Sequence, residues 1–486
     1  MNVVFYSTNS NRYSQGKMIF KMNPSCSSQW DELCRKFPLC KFSIVMQRPG
    51  MFLFDDDGSD SSYGTSLCFG EKRNNRDNVE YCFIGDNNEN YSSDDASSDV
   101  FVEKILSLKP DIAIAVTYWT QPFDWMSLKD SVIAEKLRNK GVRAVCHSSR
   151  TSQICFDKWQ THQFLVNHGF SAAKAVYVHH EMFYAERRVN VIQENVYREY
   201  VFSQIEKLNY PVVVKDIYGL SSFGMDVVQT FEQAKAVLLS KKNNGDRLVE
   251  EFIEGYSFGC EIYGSKGNYF VTRPLINSLN QFGLTSPKQN VKLGPAGVGL
   301  ASSSQSLSSD FFHLDDLERD MIRLAGLLDF DGIAQVDLIF KDGNWYIIEI
   351  NSRISGMTQT MAYSLGMSLY ELILKSSGVE LPELEDCFKK CDYSCVMNLK
   401  FPLLDNQEIQ KLMSYDFVKA VNQIENKEAK QLREVGYTEV IFGGKGTLSE
   451  TMEYLEVLNR DFSSRMVDVF YENAKKLACI LECRES

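Results

Sequence analysis

Several things are missing from this sequence, and each absence removes a class of function. No apolar run approaches the roughly 20 residues of a membrane span. The first residues, MNVVFYSTNSNRYSQGK, have no basic stretch followed by an apolar one, which predicts that no secretory leader is present. Basic charge is in deficit: the net charge of −12 disfavours nonspecific binding to nucleic acid or to an anionic membrane. The 13 cysteines include no CxxC pair, and none of the six histidines lies near the two groups that could share a helical face (Cys387, Cys391 and Cys395; Cys479 and Cys483), so the thiols read as small buried hydrophobes in a reduced, cytoplasmic protein. There is no GxGxxG, and hence no support for a Rossmann dinucleotide site. Nor does any glycine-rich stretch end in the Lys-Ser/Thr of a Walker A loop.

What remains is an ordinary globular composition, 44% apolar and 24% charged, spread over 486 residues. That is too long for one core, and several domains are expected. Residues 1–150 read as an α/β unit with strands at Val3–Tyr6, Phe42–Met46, Ile112–Val116 and Val142–Cys146. Residues 55–98, rich in Asp, Ser, Asn and Gly, read as a surface excursion. Residues 151–209 read as a mainly helical linker. A helix opens at Asp157-Lys158-Trp159, and a charged helical stretch covers 181–206.

From 210 onward strands return: Val212–Lys215, Asp226–Val228, Leu248–Ile253, Ser257–Ser265 and Tyr269–Asn277. Residues 278–309 show no periodicity, and a loop that long inside a domain is usually a functional lid or disordered. A helix is expected over 357–376. Residues 379–486 read as a C-terminal α+β domain with strands at Ser394–Phe401 and Thr438–Phe442 and a terminal helix from about 449 to 481.

Three stretches carry chemistry. Ile333–Phe340 and Trp345–Ile350 flank a Lys-Asp-Gly-Asn turn and form a hairpin. Asp337 stands on its first strand. Glu349 and Asn351, two apart and therefore on one face, stand on its second, with Arg353 beyond. Oxygen donors without His or Cys suit a hard ion, Mg²⁺ or Mn²⁺, that keeps positions open for phosphate oxygens. An arginine beside them suits a bidentate grip on phosphate or carboxylate. Read alone, the same pattern also describes two carboxylates at a solvated sheet edge.

The second stretch is KDIYGLSSFGMDVV. Its lysine, Lys215, precedes the glycines and ends an apolar strand. Gly219, Ser221, Ser222 and Gly224 offer backbone and hydroxyl donors that could fold over a triphosphate, or make an ordinary turn. The third is LVEEFIEG, whose backbone and carboxylates suit an adenine and a ribose as well as a solvated turn.

Taken in order, Lys158, Lys215 with GLSSFGM, VEEFIEG, AQVDLIF and IIEINSRISGM resemble the layout of the ATP-grasp superfamily over about residues 150–375. GLSSFGM resembles the glycine loop of D-alanine–D-alanine ligases. INSRISG is similar to the corresponding motif of biotin carboxylases and L-amino-acid (dipeptide) ligases. The resemblance implies an ATP-grasp fold: a Rossmann-like pre-ATP-grasp domain over 1–150, a small lobe with the flap over 210–265, a large lobe with the metal site over 266–378, and the C-terminal extension. It assigns Lys158 and Lys215 to ATP phosphates, Ser221, Ser222 and Gly224 to the flap, and Glu250, Glu251 and Ile253 to the adenine hinge. Asp337, Glu349 and Asn351 would hold Mg²⁺ (or Mn²⁺), and Arg353 the transferring phosphoryl group or a carboxylate.

Two departures stand out. The carboxylate expected on the ribose falls at Ser257, leaving Glu261 to replace it or to contact an amine. Where D-alanine ligases have an arginine two residues before the first metal carboxylate, this chain has Gln335, which shifts weight to Arg353 and Arg273. A further cation at the γ-phosphate is Arg273, Lys288 or Lys292. The implied activity joins a small-molecule carboxylate to an amine with release of ADP and phosphate, in a homodimer that needs neither nucleic acid nor membrane. A bicarbonate-using carboxylase or carbamoyl-phosphate-type enzyme, and a nucleotide-binding protein without activity, are the alternatives.

Overall fold

The structure, a computed structural model, describes residues 1–8, 18–47, 79–84, 97–117, 126–187, 194–218, 224–240, 243–285, 290–299, 308–378, 388, 393–426, 436–444 and 446–483. Ser221, Ser222 and Lys288 lie outside the described residues, as do Gly219, Cys387 and Cys391.

Three sheets organise the chain. The first is parallel, with strands β1 (Asn2–Ser7), β3 (Lys41–Gln47), β4 (Val79–Ile84), β5 (Ile112–Ala115) and β6 (Arg143–Val145) in the order β4-β3-β1-β5-β6. Its near-continuous apolar strands are what a parallel sheet covered on both faces requires. β4 corrects the sequence reading of 55–98 as an uninterrupted excursion. Its six residues, VEYCFI, pair with β3 in parallel, but their signal is short and flanked on both sides by polar residues.

The second sheet is antiparallel and four-stranded: β7 (Ala175–Val178), β10 (Arg247–Glu251), β8 (Val212–Asp216) and β9 (Met225–Val228), in that order. The helices Val196–Ile205 and Phe231–Leu239 bury Val201, Ile205, Ala234 and Leu238 against it. The helical reading of 181–206 needs revision. Only His180–Phe183 and Val196–Ile205 are α-helical among its described residues, with a short 3-10 turn at Ala185–Arg187.

The third sheet has ten strands. β16 (Asn344–Asn351), β15 (Asp331–Lys341), β11 (Tyr256–Ser265), β13 (Leu275–Asn277), β14 (Lys292–Gly294), β17 (Val396–Phe401), β19 (Gly436–Gly443), β18 (Val418–Asn426) and β2 (Met18–Lys21) follow one another across it, and β12 (Asn268–Val271) pairs with β11. The residues read as a C-terminal domain thus extend the sheet that carries the hairpin β15–β16. The link is β14, three residues found inside the stretch 278–309 that showed no periodicity. It pairs with β13 on one side and β17 on the other.

Two expected helices are broken. The span 357–376 is two helices, Thr358–Ser364 and Leu369–Ser376, because Gly366 takes a φ of +70° that no helix interior allows. The terminal helix is likewise two, Leu448–Asp461 and Asp468–Leu481, capped at Phe462, which buries its ring in the core. No helix among the described residues is long and apolar enough to cross a membrane.

Candidate active site

The hairpin β15–β16 is in the register its sequence predicts. Asp337 lies directly opposite Glu349, and Gln335 directly opposite Asn351. Just beyond, the register slips by one residue between Asp337 and Leu338, so Ile348 is the extra residue of a bulge. The four polar side chains then share one face. Gln335 joins them, donating from Nε2 to Asp337 Oδ1 at 2.7 Å and accepting from Asn351 Nδ2 at 2.6 Å. Arg353 donates to Asn351 Oδ1 at 3.1 Å.

Lysines from two other elements reach this face. Asp157 caps the helix Lys158–Asn167 by accepting from the backbone of Trp159 and Gln160, which fixes Lys158 as the first helical residue. A cation at a helix N-terminus faces the positive end of the helix dipole. Lys158 is nonetheless 8% exposed, and its Nζ donates to Glu349 Oε1 at 3.0 Å. Lys215, on β8, is 2% exposed and ion-paired to Glu250 on β10. Its positive charge also acts on Glu349. His162, one turn after Lys158, feels both Lys215 and Glu250. The sequence reading missed His162, although its i+4 spacing from Lys158 put it on the same helical face.

Carboxylates and cations lie together on this face and shift one another. Burial, followed by the Glu349 charge opposite, pushes the Asp337 carboxyl up to about 6. Burial would also raise Glu349, but Lys158 and then Lys215 outweigh it and hold that carboxyl below the usual range. Two half-buried carboxylates facing each other, with an amide oxygen beside them, are oxygen donors only. Among the described residues no cluster of three or more His, Cys, Asp or Glu suits a metal. The donor set therefore fits a hard divalent ion that shares its shell with phosphate oxygens.

Of the three candidates for a further cation, Lys292 is brought to the site. It is buried on β14, and its charge acts on Asp337. Burial, then Lys400, pushes its ammonium down to about 7. Arg273 instead faces Asp315, at 3.9 Å.

The remaining predicted residues divide. The hinge between the small sheet and the large one is the segment 252–255. Gly255 lets it pass: a Cβ there would lie 2.5 Å from the Phe340 carbonyl oxygen of β15. Glu251 turns away from the site and accepts from the backbone and side chain of Asn209, both at 2.9 Å. Ile253 is half-buried in the hinge.

Gly224, just before β9, has a φ of +71°, and a Cβ on it would stand 2.4 Å from Asp216 Oδ2. Glu261 is not brought into the group. It is fully buried on β11, opposite Gln335. Its oxygens accept from Tyr263 at 2.5 Å, Thr358 at 2.5 Å and Ser355 at 3.3 Å. It anchors the turn that follows Arg353. Burial pushes its carboxyl up to about 7 despite those three hydroxyl donors.

The same pieces recur in known proteins. The family model of the ATP-grasp domain matches residues 155–357, which span Lys158 to Met357 and so every element of the group described above. A D-alanine–D-alanine ligase of Clostridium perfringens is 25% identical over 258 residues, covering 50% of this chain and 74% of that protein. In three dimensions the chain is similar to the L-amino acid ligase of Bacillus licheniformis, with a TM-score of 0.58 and 17% identity over 95% of this chain and 97% of that one. It is also similar to the biotin carboxylase domain of the Hydrogenobacter thermophilus 2-oxoglutarate carboxylase, solved with MgADP and bicarbonate (TM-score 0.56, 12% identity, 93% and 88% covered). Residues 155–357 of this chain thus match the ATP-grasp domain family in sequence, and the chain shares the fold of these solved structures.

Proposed function

We propose that the protein is an ADP-forming carboxylate–amine ligase that uses ATP and Mg²⁺ and acts on an amino acid or a peptide. The observation that carries this reading is the convergence of Lys158, Lys215 and Arg353 on the Asp337–Glu349–Asn351 face. These cations and oxygens come from a helix, the small sheet and the large sheet. The set positions and neutralises a phosphoryl group and contains no nucleophile, which is what phosphoryl transfer asks of a protein.

Lys158 and Lys215 would hold the phosphates, each exchanging its carboxylate partner for phosphate oxygens. Asp337, Glu349 and Asn351 would hold Mg²⁺, which supplies charge neutralisation between the phosphates. A substrate carboxylate oxygen attacks the γ-phosphorus, and the bond from that phosphorus to ADP breaks. The amine nitrogen then attacks the acyl carbon, the carbon–oxygen bond to phosphate breaks, and the nitrogen loses a proton. Arg353, tied to Asn351, stands where it can hold the transferring phosphoryl group or the carboxylate. The hinge at 252–255, with Glu250 just before it, would receive the adenine, and closure of the Gly224 hairpin would keep water from the acyl phosphate.

The test is incubation with pools of amino acids, ATP and Mg²⁺, with nucleotides and condensed products read by mass spectrometry. ADP, phosphate and a new amide are expected. AMP and pyrophosphate would refute the mechanism. Bicarbonate-dependent ADP release without an organic acid would move the protein to the carboxylase side of the fold.

A further inference from the structure

Arg353 stands outside regular structure. β16 ends at Asn351 and the next helix begins at Thr358, so neither a strand ladder nor a helix holds the segment between them. That segment is docked instead on β11, at two positions. Gly259 and Glu261 are two apart on this strand and share a face. Gly259 lies directly opposite Asp337, itself opposite Glu349. Glu261 lies directly opposite Gln335, itself opposite Asn351. Both docking points are thus in the cross-strand rows that carry the polar group of the site.

Glu261 holds the segment through hydroxyl protons. Ser355 Oγ accepts from the Met357 backbone N–H at 3.0 Å, and Thr358 Oγ1 accepts from the Ser355 N–H at 2.9 Å. A hydroxyl has a single proton to give, and both of these go to Glu261 Oε1, at 3.3 Å from Ser355 and 2.5 Å from Thr358. The carboxyl's other oxygen accepts from Tyr263 at 2.5 Å. Among the described residues these hydroxyls, and no cation, offset the burial of Glu261. A carboxyl buried without a cation is costly, and the path of the segment is what it secures.

The second point is a steric notch. A Cβ on Gly259 would stand 2.1 Å from Met357 Cε and 3.2 Å from Met357 Sδ. Met357, 4% exposed, occupies the space that the glycine leaves. Gly259 is not among the residues with positive φ, so this contact, and not backbone conformation, calls for glycine.

Arg353 lies between these anchors and β16. It donates to Asn351 Oδ1 and to the Ile354 carbonyl, both at 3.1 Å. Asn351 is itself held by Gln335 at 2.6 Å. The guanidinium is therefore set from the strand on one side and from the docked segment on the other. Phosphoryl transfer depends on charges fixed in place before the reaction. We propose that Glu261 and Gly259 are positioning residues for Arg353, and that by docking the segment 352–358 they fix its guanidinium on the Asp337–Glu349–Asn351 face. That Arg353 serves the reaction rests on the ligase reading above.

The test measures ATP turnover by the full chain in the amino-acid pool, with kcat and KM for ATP separated, and MgADP affinity by calorimetry. Thr358→Val keeps the shape of the side chain and loses the hydroxyl; Thr358→Ser keeps the hydroxyl. Misplacing a reacting or charge-bearing group by about 1 Å can cost about 10²-fold, so Thr358→Val and Gly259→Ala should each lower kcat about 10- to 100-fold, with KM for ATP and MgADP affinity within about twofold of the wild type. Thr358→Ser should stay near the wild type. Neither Thr358→Val nor Gly259→Ala should slow the reaction further in an Arg353→Ala background. Gly259→Ala should likewise cost nothing further in a Met357→Ala background, where the clash is gone. If one of the two variants does not fold, the other decides. A role in stability alone would lower the thermal midpoint and leave kcat of the folded variants unchanged, or add its effect to that of Arg353→Ala. Either result, with Arg353→Ala itself slow, overturns the proposal and keeps the ligase reading. Release of AMP and pyrophosphate, slowed by the same variants, removes the ligase reading and leaves the positioning. An Arg353→Ala variant as active as the wild type, or no ATP turnover at all, overturns both.

Discussion

Replacing Glu349 with glutamine separates the chemistry of the site from its stability. Glu349 accepts from Lys158 at 3.0 Å and faces Asp337 across the hairpin. At an effective dielectric of about 20, the attraction to Lys158 is worth about 5 kcal/mol gross. Directly opposed strand residues stand about 5 Å apart, so the repulsion from Asp337 is about 3 kcal/mol on the same scale. Removing the charge forfeits the first, with the weaker pull of Lys215, and relieves the second, with the cost of burying a charge. Glutamine keeps an oxygen for Lys158, which returns about 1 kcal/mol. Glu349→Gln should therefore destabilise the nucleotide-free protein by only about 1 kcal/mol, a shift of a few degrees in a thermal scan. Catalysis should respond quite differently. Loss of one preorganised charge at a phosphoryl-transfer site costs about 10²–10³ in rate. ADP release under saturating ATP, with Mg²⁺ titrated, is the assay, and the Mg²⁺ requirement should move to higher concentration. Unchanged ADP release in a folded variant refutes the assignment of Glu349 to the metal. A collapse in thermal stability refutes the balance of charges drawn above.

Lys215→Met strands Glu250 in the small sheet and should cost about 3–5 kcal/mol, the usual result of breaking a buried pair; adding Glu250→Leu should restore the thermal midpoint without restoring ATP binding by calorimetry. Gly224→Ala forces a side chain into a left-handed conformation against Asp216, and should raise the apparent KM for ATP several-fold at a stability cost of about 1–2 kcal/mol. The carboxyl of Glu261 is raised on folding from 4.5 to about 7, so its stability contribution is full below pH 4.5 and is lost as pH rises through about 7. Thermal midpoints of Glu261→Gln should therefore gain on the wild type between pH 5 and pH 8, whatever their fixed offset, and parallel curves would argue against a buried titrating Glu261.

The sequence carried the hairpin because its information is local. Alternation puts Glu349 and Asn351 on one face, and the Asp-Gly turn sets the register that brings Asp337 opposite. Lys215 was legible for the same reason, as the polar end of an apolar strand. The partner choices were not legible. Lys158 and Glu349 are 191 residues apart, and nothing local says that the lysine will hold that carboxylate. Glu261 had the right type for a ribose, but burial among Tyr263, Ser355 and Thr358 directs it inward. β14 escaped because Lys-Leu-Gly has no period to detect; it is a strand only because β13 and β17 flank it. The Gln359–Asn422 pair joins a helix to a strand 63 residues later, and no spacing rule anticipates such a contact.

The place of β2 has a consequence for how the protein is made. Residues 18–21 form the far edge of the ten-stranded sheet, where Phe20 pairs with Ile424. On the ribosome, about 400 further residues must be added before that partner exists, which takes about 20–80 s at ordinary elongation rates. Until then Met18–Lys21 is an unpaired β-segment next to β1, whose own sheet can close much earlier. Completion of the largest sheet is thus a late event that joins residues 18–21 to a strand about 400 positions further on, and the nascent protein is most open to aggregation during that interval.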